Sequence, residues 1–225
     1  MNCMHEFCKM EILLVSATKF EIQPTLDFLE QNTKDFKKHH ITTLITGVGI
    51  INSTYFLTTY LLNNKVDFVL QAGIAGSFNY DLVLGETVLV YSDTFGDAGM
   101  EEKGSFKTIF DAGFADKNEY PYTAGWLINN TVIIDSIALK KVKGVTVNKV
   151  SDSASQRQQL LQYFSPDIET MEGASLHFVC LQQKIAYLQI RTISNVVGER
   201  DKTKWKIKEA IINLNTMLEK IIHQL

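Results

Sequence analysis

Short apolar runs alternate with amphipathic stretches along this chain, and the alternation sets the fold class. Residues 11–17 (EILLVSA) form a brief apolar run rich in β-formers, as expected of a strand buried on both faces. Residues 21–31 follow with helical character, Pro24 being placed in the first turn, where proline is tolerated. The same patterning predicts strands over 41–46, 67–72, 86–92, 142–150 and 185–193, and helices over 50–62 and 171–183. At the C-terminal end Ile207, Ile211, Leu214, Leu218, Ile221 and Leu225 recur at three- and four-residue steps. They predict a helix over 206–225 with one apolar stripe laid on a sheet. Strands that alternate with helices predict an α/β sandwich around a mixed or mainly parallel sheet. No internal repeat, low-complexity tract or linker divides the chain, so one domain over residues 10–225 is the simplest organisation. Met10 directly precedes the first strand, and residues 1–9 are expected to be an N-terminal extension.

Composition narrows the class. Of 225 residues, 45% are hydrophobic and 21% charged, which suits a globular core and not a disordered chain. A formal net charge of −3 gives no reason to expect a nucleic-acid partner. No apolar run reaches membrane-spanning length, and the N-terminal residues lack the apolar core of a secretory signal. Cys3, Cys8 and Cys180 cannot build a disulfide framework. Cys180 falls in an apolar helical pattern and is expected to be a buried thiol, so a reducing, cytoplasmic compartment follows. No Cys/His group has zinc spacing; His39-His40 is read as a solvated turn, and no metal is expected.

Five stretches could carry chemistry. Gly47-Val48-Gly49 lies between a strand and a helix, but Asn52 replaces the third glycine of a dinucleotide fingerprint. A tight strand-to-helix turn explains it better. Gly73-Ile74-Ala75-Gly76 follows the third strand, where ligands bind in open α/β sheets and small residues let them approach backbone N–H groups. Glu172 opens an apolar helix. It is either a favourable first-turn acid or an acceptor for the vicinal hydroxyls of a ribose. Arg191-Thr192-Ile193-Ser194-Asn195 is a polar tip on a buried strand, and Asn195 carries the donor and acceptor that suit a base edge or a turn cap. Glu21 is a first-turn acid or a general base at the same crevice. Between them, residues 93–121 form a long irregular stretch with Phe95, Phe106, Phe110, Phe114 and Tyr120, and loops of that length in a compact domain are usually functional.

In order and spacing, residues 11–21, Thr46-Gly47-Val48-Gly49, Ala72-Gly73-Ile74-Ala75-Gly76, Met171-Glu172-Gly173 and Arg191-Thr192-Ile193-Ser194-Asn195 resemble the nucleoside phosphorylase/nucleosidase superfamily. The likeness covers the chain from Met10 onward. Within the superfamily, residues 194–202 (SNVVGERDK) with Trp205, and residues 169–174, are similar to the futalosine hydrolase family of the alternative menaquinone pathway. Methylthioadenosine/S-adenosylhomocysteine nucleosidases are near cousins. The resemblance implies a three-layer sandwich around a mixed central sheet. It gives Glu21 the role of activating water and Glu172 that of holding the ribose hydroxyls, with Met171 beside the sugar and Gly76 beneath it. Asn195 stands at the purine, where adenosine-type enzymes place an Asp. Ser153 and Ala154 fall in a segment that contacts the base through its backbone. Phe106 falls in a loop that reaches a neighbouring subunit's 5′ pocket in dimeric cousins, so a homodimer is expected. Arg200 is either a solvated loop residue or a further donor toward O6.

The implied reaction is hydrolysis of futalosine to hypoxanthine and dehypoxanthine futalosine, with no metal or cofactor. Residues 12–19 and 74–80 contain no Arg to hold phosphate, which favours water as the nucleophile. The alternatives are a nucleosidase for methylthioadenosine, S-adenosylhomocysteine or aminofutalosine, a purine nucleoside phosphorylase, and a non-catalytic nucleoside-binding protein on the same fold. The last gains weight only if Glu21 and Glu172 do not converge.

Overall fold

The structure is a computed structural model that describes residues 9–32 and 39–225. Cys3, Cys8 and most of the expected extension lie outside the described residues. The elements in chain order are β1 (Glu11–Ser16), α1 (Lys19–Gln31), β2 (His40–Ile45), α2 (Ile50–Asn63), β3 (Phe68–Ser77), β4 (Thr87–Asp93), β5 (Gly99–Glu102), β6 (Ser105–Thr108), β7 (Leu127–Ile128), β8 (Lys140–Thr146), α3 (Ala154–Phe164), β9 (Ile168–Thr170), α4 (Gly173–Gln183), β10 (Ala186–Val196) and α5 (Ile207–Gln224).

The central sheet is mixed. β1 pairs in parallel with β2 and β3, β3 with β10, β4 with β8, and β8 with β9. β10 runs antiparallel to β4, and β9 antiparallel to the end of β3. Since β3 pairs with β1, β9 and β10, the sheet curls back on itself and closes a ring of β3, β10, β4, β8 and β9, with β1 and β2 as an open wing. Helices cover both faces. Ile22 of α1 and Leu214, Leu218, Ile221 and Ile222 of α5 pack with Ile12, Leu14 and Leu70 on one side. Leu57 and Leu61 of α2 and Leu176, Val179 and Cys180 of α4 pack with Leu13, Val15 and Val69 on the other. Ala75, Val88, Val90, Val142, Ile168 and Ile193 fill the ring itself. The α/β sandwich around a mixed sheet is therefore present, with a middle layer that is partly a barrel.

Several local expectations need correction. Gly73-Ile74-Ala75-Gly76 does not follow the third strand but is part of it, because β3 continues to Ser77 to pair with both β10 and β9. Residues 191–195 likewise lie inside β10. Pro24 sits beyond the first turn of α1, whose first residue is Lys19. The N–H of Thr25 and its hydroxyl both donate to Asn215 Oδ1 of α5, and Asn215 Nδ2 donates to the Glu21 carbonyl, so a side chain from another helix satisfies the disturbed ladder. His39 is not in a solvated turn: it is buried, and its Nδ1 accepts from the Met10 N–H. Cys180 is buried as expected, and burial pushes its thiol pKa up. The stretch 93–121 contains the β5–β6 hairpin, so it is only partly irregular. α3 escaped the hydrophobic pattern because Leu160 is its one buried residue, although the Ser153–Gln156 capping box marks its start.

Candidate active site

The carboxyl ends of β1, β2, β3 and β10 point to one side of the sheet, where open α/β sheets bind ligands. A cleft of about 330 Å³ opens there. Glu21, Gly76, Glu169, Met171, Glu172 and Asn195 line it, with Phe20, Val48, Trp205 and Ile207 as its apolar rim. Glu21 and Glu172, 151 positions apart in sequence, therefore converge, which removes the condition that favoured a non-catalytic binding protein.

Glu21 is held by a capping box. Thr18 caps α1; its hydroxyl accepts from the Glu21 N–H and donates to Glu21 Oε2 at 2.9 Å. The Thr18 N–H and the Ser16 hydroxyl also donate to Oε2, and the Ile74 N–H donates to Oε1 at 3.0 Å. Glu21 is thus a first-turn acid of α1, and the cap orients its carboxylate toward the cleft that it lines.

Glu172 is the N-cap residue of α4, yet its side chain makes no capping bond. Its Oε1 accepts the Gly49 N–H at 3.0 Å instead. Gly47 and Gly49 have φ of 79° and 95°, a backbone course that side chains rarely allow, and this turn aims the N–H at the carboxylate. The glycine pair between β2 and α2 therefore holds an anion at a helix N-terminus, and that anion belongs to the chain itself. Burial pushes the Glu172 pKa up and the nearby Glu21 carboxylate adds to the rise, while Arg191 and the Gly49 N–H oppose it.

Arg191 opens the polar tip of β10, although the sequence assigns it no role of its own. Its side chain is 1% exposed, donates to Gln71 Oε1 at 2.8 Å and stands 3.7 Å from Glu172 Oε2. Gly73 makes room for it: a Cβ there would lie 2.1 Å from Arg191 Nη1 and 3.0 Å from Glu21 Oε1. An Arg in a strand gives no sequence signal that it will be buried between two acids brought in by other elements.

At the opposite end, the pairing of β10 with β3 shifts register between Ile193 and Asn195. Such bulges re-aim side chains beside active sites. The Ser194 hydroxyl donates to Asn195 Oδ1 at 2.8 Å, and Nδ2 donates one hydrogen to the Val196 carbonyl. One N–H remains for a ligand.

The remaining expected residues fall elsewhere. Ser153 and Ala154 line a second cleft of about 590 Å³ with Tyr80, Arg157, Gly198 and Lys204, because Ser153 is spent capping α3. Val150, three residues earlier, lines the first cleft. Arg200 does not line the first cleft, but its charge is felt at Glu169. Phe106 lies on β6 against Tyr163 of α3, and Phe110 packs on Tyr122. The loop aromatics thus partly satisfy one another, whereas Phe114 and Tyr120 stay exposed.

Beneath the site lies a buried polar cluster. Asp93 Oδ1 accepts from the Thr94 N–H and the Thr146 hydroxyl, and Gln189 Nε2 approaches Oδ2 at 3.4 Å. Burial raises the Asp93 pKa to about 7 against these hydrogen bonds and the Arg191 charge. Burial likewise lowers His177 to about 4, so that ring is neutral at physiological pH. In the unfolded chain Asp93 loses its proton near its ordinary value, 3.8, but in the fold only near 7. The folded state therefore binds more protons between those values, and its stability falls as pH rises through that window. Asp93→Asn is expected to flatten the fall, as measured by thermal melts from pH 5 to pH 8. An unchanged slope would assign the pH dependence to other groups.

A family model for the phosphorylase superfamily matches residues 11–224. A futalosine hydrolase of Thermus thermophilus is 29% identical over 217 residues, covering 93% of this chain and 94% of that protein. An aminodeoxyfutalosine nucleosidase of Campylobacter jejuni is 24% identical over 228 residues, covering 93% and 97%. Among solved structures, a 5′-methylthioadenosine/S-adenosylhomocysteine nucleosidase from Helicobacter pylori superposes with a TM-score of 0.80 at 19% identity, covering 97% of this chain and 100% of that one.

Proposed function

This chain belongs to the phosphorylase superfamily, and we propose that it hydrolyses the N-glycosidic bond of futalosine, releasing hypoxanthine and dehypoxanthine futalosine in menaquinone biosynthesis. At the coarser level the chain is a nucleosidase acting on purine nucleosides. The proposal adds the base, the 5′ substituent and the pathway.

One observation carries the hydrolytic reading. The lining of the cleft brings together Glu21, Glu169 and Glu172, and it includes no Lys or Arg among the described residues. Arg191 lies behind that lining, engaged with Gln71 and Glu172. Walls of one negative sign repel phosphate and favour a cation, which is the charge that develops on ribose as C1′–N9 breaks. Glu172 accepts hydrogen bonds from the 2′- and 3′-hydroxyls, and its charge stabilises the oxocarbenium-like sugar. Met171 packs beside the ribose and Gly76 lies beneath the nucleoside. Glu21, fixed by its capping box, orients a water and takes its proton as that water attacks C1′.

Asn195 sets the base. Its free N–H donates to N7 or O6 of a 6-oxopurine and carries no ionisable proton to relay. Hypoxanthine leaves more readily as an anion than adenine, which lessens the need for an acid at N7. Futalosine is expected to be hydrolysed with higher kcat/KM than aminofutalosine, and Asn195→Asp to lower the first value and shift preference toward the second. Equal wild-type values would show that Asn195 does not discriminate.

We further propose a homodimer. Ile51, Tyr55 and Leu62 on α2 are between 63% and 79% exposed, Phe114 and Tyr120 are exposed as well, and α2 begins just after Val48 of the cleft rim. A fully active monomer by light scattering at micromolar concentration would remove this part of the proposal.

A further inference from the structure

Glu172 occupies the N-cap position of α4, but its side chain caps nothing: Oε1 takes the Gly49 N–H and Oε2 faces Arg191. The first N–H groups of a helix have no partner within it, and an N-cap side chain ordinarily accepts one of them. Gly173, Ala174 and Ser175 at the head of α4 are all buried, and buried N–H groups in folded proteins are paired. Something else must cap this helix if Glu172 is to face the cleft.

Two threonines of the sheet supply the cap. The Ala174 N–H donates to Thr146 Oγ1 at 2.7 Å, and the Gly173 N–H donates to Thr170 Oγ1 at 3.2 Å. Thr146 of β8 and Thr170 of β9 are partners in register, and their hydroxyl oxygens lie 3.0 Å apart. The Thr146 hydroxyl donates to Asp93 Oδ1 at 2.9 Å. A hydroxyl has one hydrogen and two lone pairs, so Thr146, its hydrogen spent on Asp93, accepts from Thr170. Each hydrogen then has a fixed direction, from Gly173 to Thr170, from Thr170 to Thr146 and from Thr146 to Asp93, with the Ala174 N–H entering at Thr146. The Thr146 hydroxyl is saturated, and the relay ends on the Asp93 carboxyl.

Two glycines bring that carboxyl against the helix head. A Cβ on Gly173 would lie 2.1 Å from Asp93 Oδ2, and one on Gly144 would lie 2.6 Å from it. A negative charge is favoured in that place by the helix dipole. Asp93 and Thr146 are buried and do not line the cleft, so neither touches a ligand there.

We propose that Thr146, its hydroxyl aimed by Asp93, is a positioning residue for Glu172: it caps α4 in place of the acid and so leaves the Glu172 carboxylate to the sugar diol. The inference rests on the nucleosidase reading above and deepens it, because it says what keeps the N-cap acid out of its ordinary capping role. Without the Thr146 hydroxyl the Ala174 N–H has no acceptor, and Glu172, one position before the helix, is the acceptor within reach. The acid then turns from the diol to the helix.

The test measures kcat/KM for futalosine and for its 2′-deoxy analogue with the full-length wild type, Thr146→Val, Thr146→Ser and Asp93→Ala. The ratio of the two values cancels any change in the amount of folded enzyme. Thr146→Val keeps the branched shape without the hydroxyl. It is expected to lower the ratio by about 10- to 100-fold, the cost of displacing a site group by up to about 1 Å, with the loss falling on futalosine. Thr146→Ser keeps the hydroxyl and is expected to keep the wild-type ratio. Asp93→Ala lets the Thr146 hydroxyl turn and is expected to lower the ratio in the same direction. Should Thr146→Val fold poorly, the ratio in Asp93→Ala decides. Equal losses on both substrates, or a ratio as low in Thr146→Ser as in Thr146→Val, would mark a structural role and overturn the proposal. A wild type that releases base from neither substrate would instead overturn the nucleosidase reading, and the role of Thr146 with it. A wild type that favours futalosine over the deoxy analogue, combined with an unmoved ratio in Thr146→Val, would overturn only the role of Thr146.

Discussion

Glu21→Gln is expected to reduce kcat by on the order of 10³-fold, within the range that general acid–base groups supply, while nucleoside binding stays measurable. The carboxylate acts on water and not on the ligand, so the loss falls on the chemical step. Its geometry also predicts a cost in stability. Oε1 accepts the Ile74 N–H, and Oε2 accepts from Thr18 and Ser16. A carboxamide in that place must turn its NH₂ toward at least one of these donors. About 1–3 kcal/mol of stability is expected to go with that unpaired group. Calorimetric binding of a nucleoside, read beside single-turnover rates, separates the two effects. A variant with near-normal kcat would show that another group activates the water.

Glu172→Gln is the second large effect. Oε1 can keep the Gly49 N–H, but the other end of the side chain then presents a neutral NH₂ group to Arg191 and to the sugar. The buried guanidinium loses its nearest acidic partner, and the developing ribosyl cation loses its counter-charge. A loss of a few kcal/mol in transition-state stabilisation is expected, about 10²–10³-fold in kcat/KM, as for a preorganised electrostatic group. A 2′-deoxy substrate probes the contact itself. The wild type is expected to lose much activity on it, and Glu172→Gln little more than it has already lost. A full additional penalty in the variant would place the diol against some other residue.

The two acids were legible for different reasons. Glu21 follows Thr18 by three residues at the head of an amphipathic run, and the capping box that this spacing forms is the device that points the carboxylate into the cleft. Glu172 stood out as an acid before an apolar helix, although its actual partner, the Gly49 N–H, lies 123 positions away. Asn195 was visible as a polar tip on a buried strand, but the bulge at Ser194 that turns it came only from the pairing of β10 with β3.

What stayed hidden depends on the sheet closing into a ring. Periodicity cannot show that β3 continues through two glycines, nor that its last residues meet β9. Without that pairing Glu169 reads as a residue on the approach to a helix, and Ser151 as part of a loop. Arg191 reads only as part of a polar tip on a buried strand until Gln71, Glu172 and the side-chain-free Gly73 are seen around it. In the segment between β8 and α3, Ser153 and Ala154 stand at the head of α3 and line the second cleft, whereas Val150 lines the first, a division that pairing and capping decide and sequence spacing does not show.

The most direct test of the account is to incubate the protein with futalosine in phosphate-free buffer and to identify both products by mass spectrometry. The acid-lined cleft predicts free hypoxanthine and the free sugar, dehypoxanthine futalosine, at a rate that added phosphate does not raise. A strict phosphate requirement with a sugar 1-phosphate product, or no release of base at all, would contradict it.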